Sequence, residues 1–207
     1  MSNKIQVSKK NLPMANTQQT VLTHSGDNGL QIANQGIVNV FMNSNSNSVY
    51  NASIQMSTEY YNLFVIGDET FNDGCFLVEK DHALTISEGV APEISTQFAC
   101  LTQDAISAIK TFPALFANEN HQNGCTDASH QAFYGIVTDI RIQENGIKIY
   151  FQKFCCFPQQ KLNEIALNLA IKGSSSFNEL NKTHWAIKKI NLIEELRTAG
   201  INVLAST

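Results

Sequence analysis

Charged side chains are scarce in this chain of 207 residues, at 15% against a usual ~25%. Asparagine and glutamine take their place, with 22 Asn and 14 Gln, and each carboxamide both donates and accepts hydrogen bonds. This composition argues against a chain kept disordered by net charge and against a coiled coil built on Glu and Lys. The formal net charge of −4 gives no global reason to expect binding to nucleic acid or to a membrane surface.

Long apolar runs and a disulfide pattern are missing as well. No apolar run approaches the ~18 residues of a membrane span, and residues 1–13 lack the hydrophobic region of a signal peptide. The five cysteines are odd in number and two of them are adjacent, which suits reduced thiols better than a disulfide framework. We therefore expect a cytoplasmic protein without a membrane partner. No catalytic motif stands out, so a non-enzymatic role without a cofactor or a bound metal is favoured.

The composition changes sharply near residue 58. Between residues 14 and 58, 23 of 45 positions are Asn, Gln, Ser or Thr, and Asp27 is the only charged residue. Residues 1–58 sum to a charge of +2, residues 59–157 to −8 and residues 158–207 to +2. The sequence therefore predicts two parts: an amide-rich N-terminal segment over 1–58 and an α+β domain over 59–207.

The N-terminal segment has the pattern of short strands separated by turn-forming residues. An apolar-Gln-apolar triplet occurs three times, at intervals of 25 and 24 residues: Ile5-Gln6-Val7, Leu30-Gln31-Ile32 and Ile54-Gln55-Met56. Such an interval fits one rung of a solenoid in which the glutamines stack as an amide ladder. A β-meander and a short β-solenoid both remain open for this segment.

A long antiparallel hairpin is the clearest element of the second part. Asn145-Gly146 is the pair favoured in a type I′ turn. Pairing the arms around it places residues whose numbers sum to 291 opposite each other. Ile140 then faces Phe151 on a buried side, and Arg141 faces Tyr150 on the other.

Two to four helices accompany this hairpin. Thr102 is placed to cap a helix that ends before Pro113. A second helix is predicted after Pro158 and should continue to Gly173. Asn191 is expected to cap the last helix.

The stretch 25–34 carries the main functional hypothesis. It joins a polar turn to an uncharged strand with an amide at its centre. In a parallel, in-register stack, identical amides hydrogen-bond along the fibre axis while the apolar neighbours interdigitate. We take these residues as candidates for self-association: Asp27, Asn28, Leu30, Gln31, Ile32 and Asn34.

This stretch resembles the short amyloid-type homotypic interaction motifs of innate immune signalling proteins, animal and bacterial, which have an apolar-Gln-apolar-Gly core. Leu30-Gln31-Ile32 matches that core, and Ala33 stands in place of the glycine. The resemblance implies recruitment by homotypic contact and a role in bacterial antiviral defence. The alternative is an Asn-rich meander that packs on its own domain.

The loop 119–130 offers a first alternative, a small Cys/His or metal-dependent hydrolase. It contains Glu119, His121, Cys125 and His130, but the histidine and cysteine spacing matches no zinc signature. A nucleophilic cysteine also needs an electropositive setting, whereas this segment is acidic. We therefore predict that the loop performs no essential chemistry.

The strand expected over 183–190 offers a second alternative, a nucleotide or nucleic-acid binding module. Its candidate ligand-binding residues are Thr183, His184, Trp185 and Lys188, because an aromatic ring can stack on a base while a lysine neutralises phosphate. Alternation along a strand places His184 and Lys188 on one face and Trp185 on the other. A packed strand with Trp185 as a core anchor is the simpler interpretation. The favoured hypothesis is a non-enzymatic protein that forms homo-oligomers and binds another protein.

Overall fold

A computed structural model describes residues 55–174 and 176–203, together with the backbone of two short strands, β1 (Val38–Asn39) and β2 (Ser53–Ile54). These two strands pair in antiparallel fashion. The predicted self-association residues within 25–34, and the first two apolar-Gln-apolar triplets, lie outside the described residues. Within the described part, no helix has the length and hydropathy needed to cross a bilayer.

The domain combines one six-stranded sheet with four α-helices among the described residues, which confirms mixed α+β content. The sheet order is β4-β7-β6-β5-β3-β8, antiparallel except for the parallel pair β3 and β5. The strands are β3 (Tyr61–Val65), β4 (Cys75–Val78), β5 (Pro113–Ala117), β6 (Gln131–Gln143), β7 (Gly146–Pro158) and β8 (His184–Lys188). The helices are α1 (Pro92–Phe98), α2 (Gln103–Ile109), α3 (Gln160–Glu164) and α4 (Leu192–Thr198), with 3₁₀ turns at Lys80–His82, Ile86–Glu88 and Glu179–Asn181.

The sheet curls around an aromatic core. Three strands separate β3 from β4 in the sheet order, yet the rings of Phe64 on β3 and Phe76 on β4 lie 5.2 Å apart. Phe116 and Phe151 pack between them, with ring centroids 4.8 Å apart. Phe71 closes this cluster by edge contacts with its rings. The curl therefore brings the two ends of the sheet onto one shared core.

The long hairpin is confirmed, but its predicted register is wrong. Glu144 and Asn145 form the turn, and Gly146 begins β7 opposite Gln143. Gly146 is needed in the strand because a Cβ there would lie 2.7 Å from the Val78 carbonyl oxygen of β4. Ile140 consequently pairs with Ile149 rather than Phe151. The observed register differs from the predicted one by two residues, an even number, so each side chain stays on the predicted face of the sheet. Ile140 is buried and Arg141 is exposed, as predicted.

Two irregularities change the pairing farther along the hairpin. One lies between Val137 and Asp139, and the other between Tyr134 and Gly135. At a bulge two residues on one strand oppose one on the other, which bends the strand and increases its twist. These irregularities favour the curl of the sheet.

The predicted helix caps are confirmed, whereas the helix after Pro158 is shorter than expected. Thr102 Oγ1 accepts a hydrogen bond from Ala105 N at 3.2 Å, and Asn191 Oδ1 accepts one from Glu194 N at 3.4 Å. Helix α3 ends at Glu164, and the chain continues as turns in which Ala170 has a positive φ of 53°. Helix α1, strand β5 and the parallel pairing were not predicted from the sequence.

Candidate functional site

The predicted ligand-binding strand is β8, at one edge of the sheet. All five of its residues are buried. It pairs with β3, so that Val65 lies opposite His184 and Tyr61 opposite Lys188. The predicted alternation of faces is observed, because Trp185 contacts the aromatic core while His184 and Lys188 contact a buried glutamate on the other side.

Trp185 is an internal anchor. Its ring stacks on Phe64 with centroids 5.3 Å apart, and its Nε1 donates to Asn62 Oδ1 at 3.2 Å. Asn62 in turn donates to the Ile109 carbonyl at 3.2 Å. Both polar groups are thereby satisfied inside the core. With no exposed surface, this indole is not presented for stacking on a base.

Lys188 is bound within the domain on the opposite face of β8. Its Nζ lies 2.5 Å from Glu179 Oε2 and donates to the Gly89 carbonyl at 3.2 Å. Thr183, just before the strand, accepts a hydrogen bond from Gly67 N at 2.8 Å. The groups that a nucleotide site would require are therefore engaged in internal contacts.

His184 is fully buried, and among the residues that the structure describes only one of its ring nitrogens has a hydrogen-bond partner. Nδ1 lies 3.0 Å from the Lys182 carbonyl, which can only accept, so Nδ1 carries a proton. Nε2 lies 3.8 Å from Glu179 Oε2 and makes no hydrogen bond. Burial lowers the pKa of His184 from 6.5 to about 4. The imidazole is therefore neutral at pH 7, with its lone pair on Nε2.

Glu179 contacts both His184 and Lys188, and these three side chains form a buried charged cluster. Besides Lys188, Glu179 accepts a hydrogen bond from Lys172 N through Oε1 at 3.1 Å. Burial raises the pKa of Glu179 and lowers that of Lys188, and their mutual attraction opposes both shifts. Both side chains are more than nine-tenths buried. Removing either partner would leave an uncompensated buried charge.

A segment that we call the strap, residues 79–91, covers the outer edge of β8. Leu84 N donates to the Trp185 carbonyl at 2.9 Å. Glu88 reaches back to Lys182, with Oε2 and Nζ 2.5 Å apart, and its Oε1 lies 3.2 Å from His82 Nδ1. Burial acts to raise the pKa of Glu88, but the hydrogen bonds with Lys182 and His82 outweigh it and leave that pKa below its usual value. Glu88 is thus ionised at neutral pH.

The strap also contains one group of possible metal ligands. Glu79, Asp81 and His82 each offer one atom, and these atoms lie within 4.8 Å of one another. Glu79 and Asp81 are exposed, and His82 is partly exposed. Exposed groups of this kind are common without an ion, and the cluster by itself assigns no metal site.

The loop 119–130 brings both of its histidines to one carboxylate. His121 Nδ1 lies 3.5 Å from Asp127 Oδ1, and His130 Nε2 lies 3.6 Å from Asp127 Oδ2. Thr126 Oγ1 contacts the other ring nitrogen of His130 at 3.1 Å. Cys125 is exposed in the same loop.

A network of amides ties this loop to the domain. Gln159 is fully buried and donates through Nε2 to the Asn118 carbonyl at 2.7 Å and to Thr126 Oγ1 at 3.1 Å. Asn120 Nδ2 donates to Asn163 Oδ1 at 2.8 Å. Some of the asparagine and glutamine side chains therefore hold the loop 119–130 against α3.

Sequence reasoning missed the partners that organise the cluster around β8. Neither Glu88 nor Glu179 belongs to a recognisable motif. Glu88 lies almost 100 residues before β8, and Glu179, although five residues before His184, lies outside the alternating pattern of the strand. The glycine that follows Glu88 was the nearest signal, because a small residue marks a close approach of two segments. Comparisons of the chain with family models, curated proteins and solved structures found no match.

Proposed function

We propose that this is a cytoplasmic, non-enzymatic interaction protein that self-associates through its amide-rich N-terminal segment. The observation that carries the proposal is the partition of the chain near residue 58. Residues 14–58 contain one charged residue and are half Asn, Gln, Ser or Thr, whereas residues 59–207 hold 28 charged residues and include the described α+β domain. An uncharged, amide-rich tract joined to such a domain is suited to contact between copies.

The internal contacts of the domain support this proposal over the two alternatives. Trp185 and Lys188, which a nucleotide site would present to its ligand, are bound to Asn62 and Glu179. In the loop 119–130, both histidines face Asp127. Trp185, Lys188, His121 and His130 thus have structural partners that account for their positions.

The physical basis for self-association lies in Leu30-Gln31-Ile32. Stacked copies would align Gln31 side chains at ~4.8 Å, the spacing at which amides hydrogen-bond along a fibre axis. Leu30 and Ile32 would then be available for packing between sheets. Asp27 is the only charged residue between positions 14 and 58, so its carboxylate is the only source of like-charge repulsion that this tract brings to the stack.

Within this proposal, the domain is the part that meets a second protein, and assembly of the N-terminal segments gathers several such domains. A place in bacterial antiviral defence follows from the resemblance of residues 25–34 to homotypic signalling motifs. No cofactor or nucleic acid is required for such a role.

Light scattering across a concentration series tests the proposal. The full chain should show a mass that rises with concentration, whereas a chain that begins at Gln55 should keep one mass. The truncation begins there because Met56 accepts a hydrogen bond from Tyr134 Oη at 3.5 Å, and Ser57 N donates to the Thr111 carbonyl at 2.9 Å. A full chain that stays monomeric at every concentration would overturn the proposal.

A further inference from the structure

The strap touches β8 through two kinds of contact. Leu84 and Val90 are buried apolar anchors, each 1% exposed. Between them, the turn Ile86–Gly89 has Glu88 as its buried side chain, while Ile86 is 59% exposed. The turn is therefore held against β8 mainly by polar contacts, through Glu88 and the Gly89 carbonyl. Opening it would expose little apolar surface.

His184 lies among the charged groups that hold this turn. Its Nε2 faces Glu179 Oε2 at 3.8 Å, beyond hydrogen-bond distance. That oxygen is already paired with Lys188 at 2.5 Å, and Lys188 also donates to the Gly89 carbonyl at 3.2 Å. A proton on Nε2 would thus have to share the oxygen that already pairs with Lys188 and would place a second cation beside that lysine.

We propose that the turn Ile86–Gly89 is an acid-sensitive latch on the edge of β8, opened when His184 takes a proton at Nε2. Protonated His184 and Lys188 would then be two cations at the same Glu179 oxygen. Their repulsion displaces Lys188 and thereby weakens its bond to the Gly89 carbonyl. Opening of the turn admits water, which solvates the new charge that the closed cluster cannot. The apolar anchors on both sides keep the rest of the strap in place.

Charged groups on the surrounding elements determine how readily His184 takes up the proton that opens the latch. Lys188 and Lys182 disfavour a positive His184, whereas Glu88 favours it. In the closed turn, Glu88 is paired with Lys182 and with His82, a second histidine close to the turn. The other titratable groups facing the cluster are Glu179, Lys172 and the phenol of Tyr61.

Hydrogen exchange of the full chain, followed by mass spectrometry, measures the latch directly. After correction for the intrinsic pH dependence of exchange, opening of peptides that cover the turn should increase about twentyfold between pH 7 and pH 5. Peptides from β5 should exchange far more slowly than the turn at both pH values, since their exchange requires unfolding of the domain. His184→Asn should abolish the increase, because an asparagine amide can still donate to the Lys182 carbonyl but does not titrate.

His82→Gln is the matched control, since it removes the other histidine of the cluster. It should retain the acid response if His184 is the sensor. If His184→Asn fails to fold, nitrogen NMR of the wild-type histidines replaces it: Nε2 of His184 should be unprotonated at pH 7 and gain its proton as the turn opens. Unchanged protection of the turn at pH 5, a response lost in His82→Gln, or exchange of the turn that is no faster than that of β5 would overturn the proposal.

Discussion

Gly89→Ala should be one of the most damaging small substitutions in the domain. Gly89 has a left-handed φ of 82°, and a Cβ at this position would lie 2.1 Å from Glu179 Oε1. The left-handed backbone alone costs a non-glycine residue about 1 kcal/mol. The collision adds more, because Glu179 must move away from Lys188 and from Lys172 N, to which it is bound. Disrupting a buried ion pair costs about 3–5 kcal/mol.

Gly74→Ala is the matched control for this substitution. Gly74 has a similar φ of 67°, but a Cβ there would meet no atom of the described residues within 4 Å. We expect a loss of about 1 kcal/mol for Gly74→Ala and about 4–6 kcal/mol for Gly89→Ala. Equilibrium urea denaturation gives both free energies of unfolding. Equal losses in the two variants would refute the reasoning, since they would show that Glu179 is not fixed against Gly89.

Three further predictions concern the hairpin, the loop and the buried histidine. Ile140→Asp buries an unpaired charge and should cost several kcal/mol of stability, whereas the exposed Arg141→Asp should cost much less; similar melting temperatures would contradict the observed pairing. Replacing the two histidines and the cysteine of loop 119–130 by alanine should leave the melting temperature and cellular activity nearly unchanged, and one equivalent of bound zinc or iron that is lost in this variant would contradict that. Because the pKa of His184 is lowered to about 4, the unfolded chain takes up the proton at a higher pH than the folded chain. The free energy of unfolding should therefore be at its full value above pH 6.5 and fall by about 3 kcal/mol as the pH drops to 4. Urea denaturation should show this loss in the wild type and not in His184→Asn.

Local signals in the sequence predicted local structure well. The caps at Thr102 and Asn191 were correct because a capping side chain contacts backbone only three residues away. The hairpin was also predictable, since its two strands are adjacent in the chain. Its register was not, because Gly146 is required by the approach of Val78 on β4, which is distant in sequence.

The buried charged cluster shows why the candidate site could be predicted only in part. The alternation of His184, Trp185 and Lys188 correctly separated two faces of β8. The partner Glu88 lies on a strap almost 100 residues earlier in the chain, and no short-range pattern connects it with β8. The single tryptophan was correctly favoured as a core anchor. The burial and pairing of Lys188 were not predictable, because they depend on the tertiary position of Glu179.

The most direct test of the assembly proposal compares Gln31→Lys with Gln19→Lys in the full chain. In a stack, Gln31→Lys places one positive charge in every layer, ~4.8 Å from the next, where like charges repel and no amide ladder can form. Gln19→Lys adds the same charge to the same amide-rich tract outside the Leu30-Gln31-Ile32 triplet. Light scattering should show loss of higher-order species for Gln31→Lys alone, with both melting temperatures unchanged. Equal assembly of the two variants, or a wild-type chain that is monomeric at every concentration, would contradict the account.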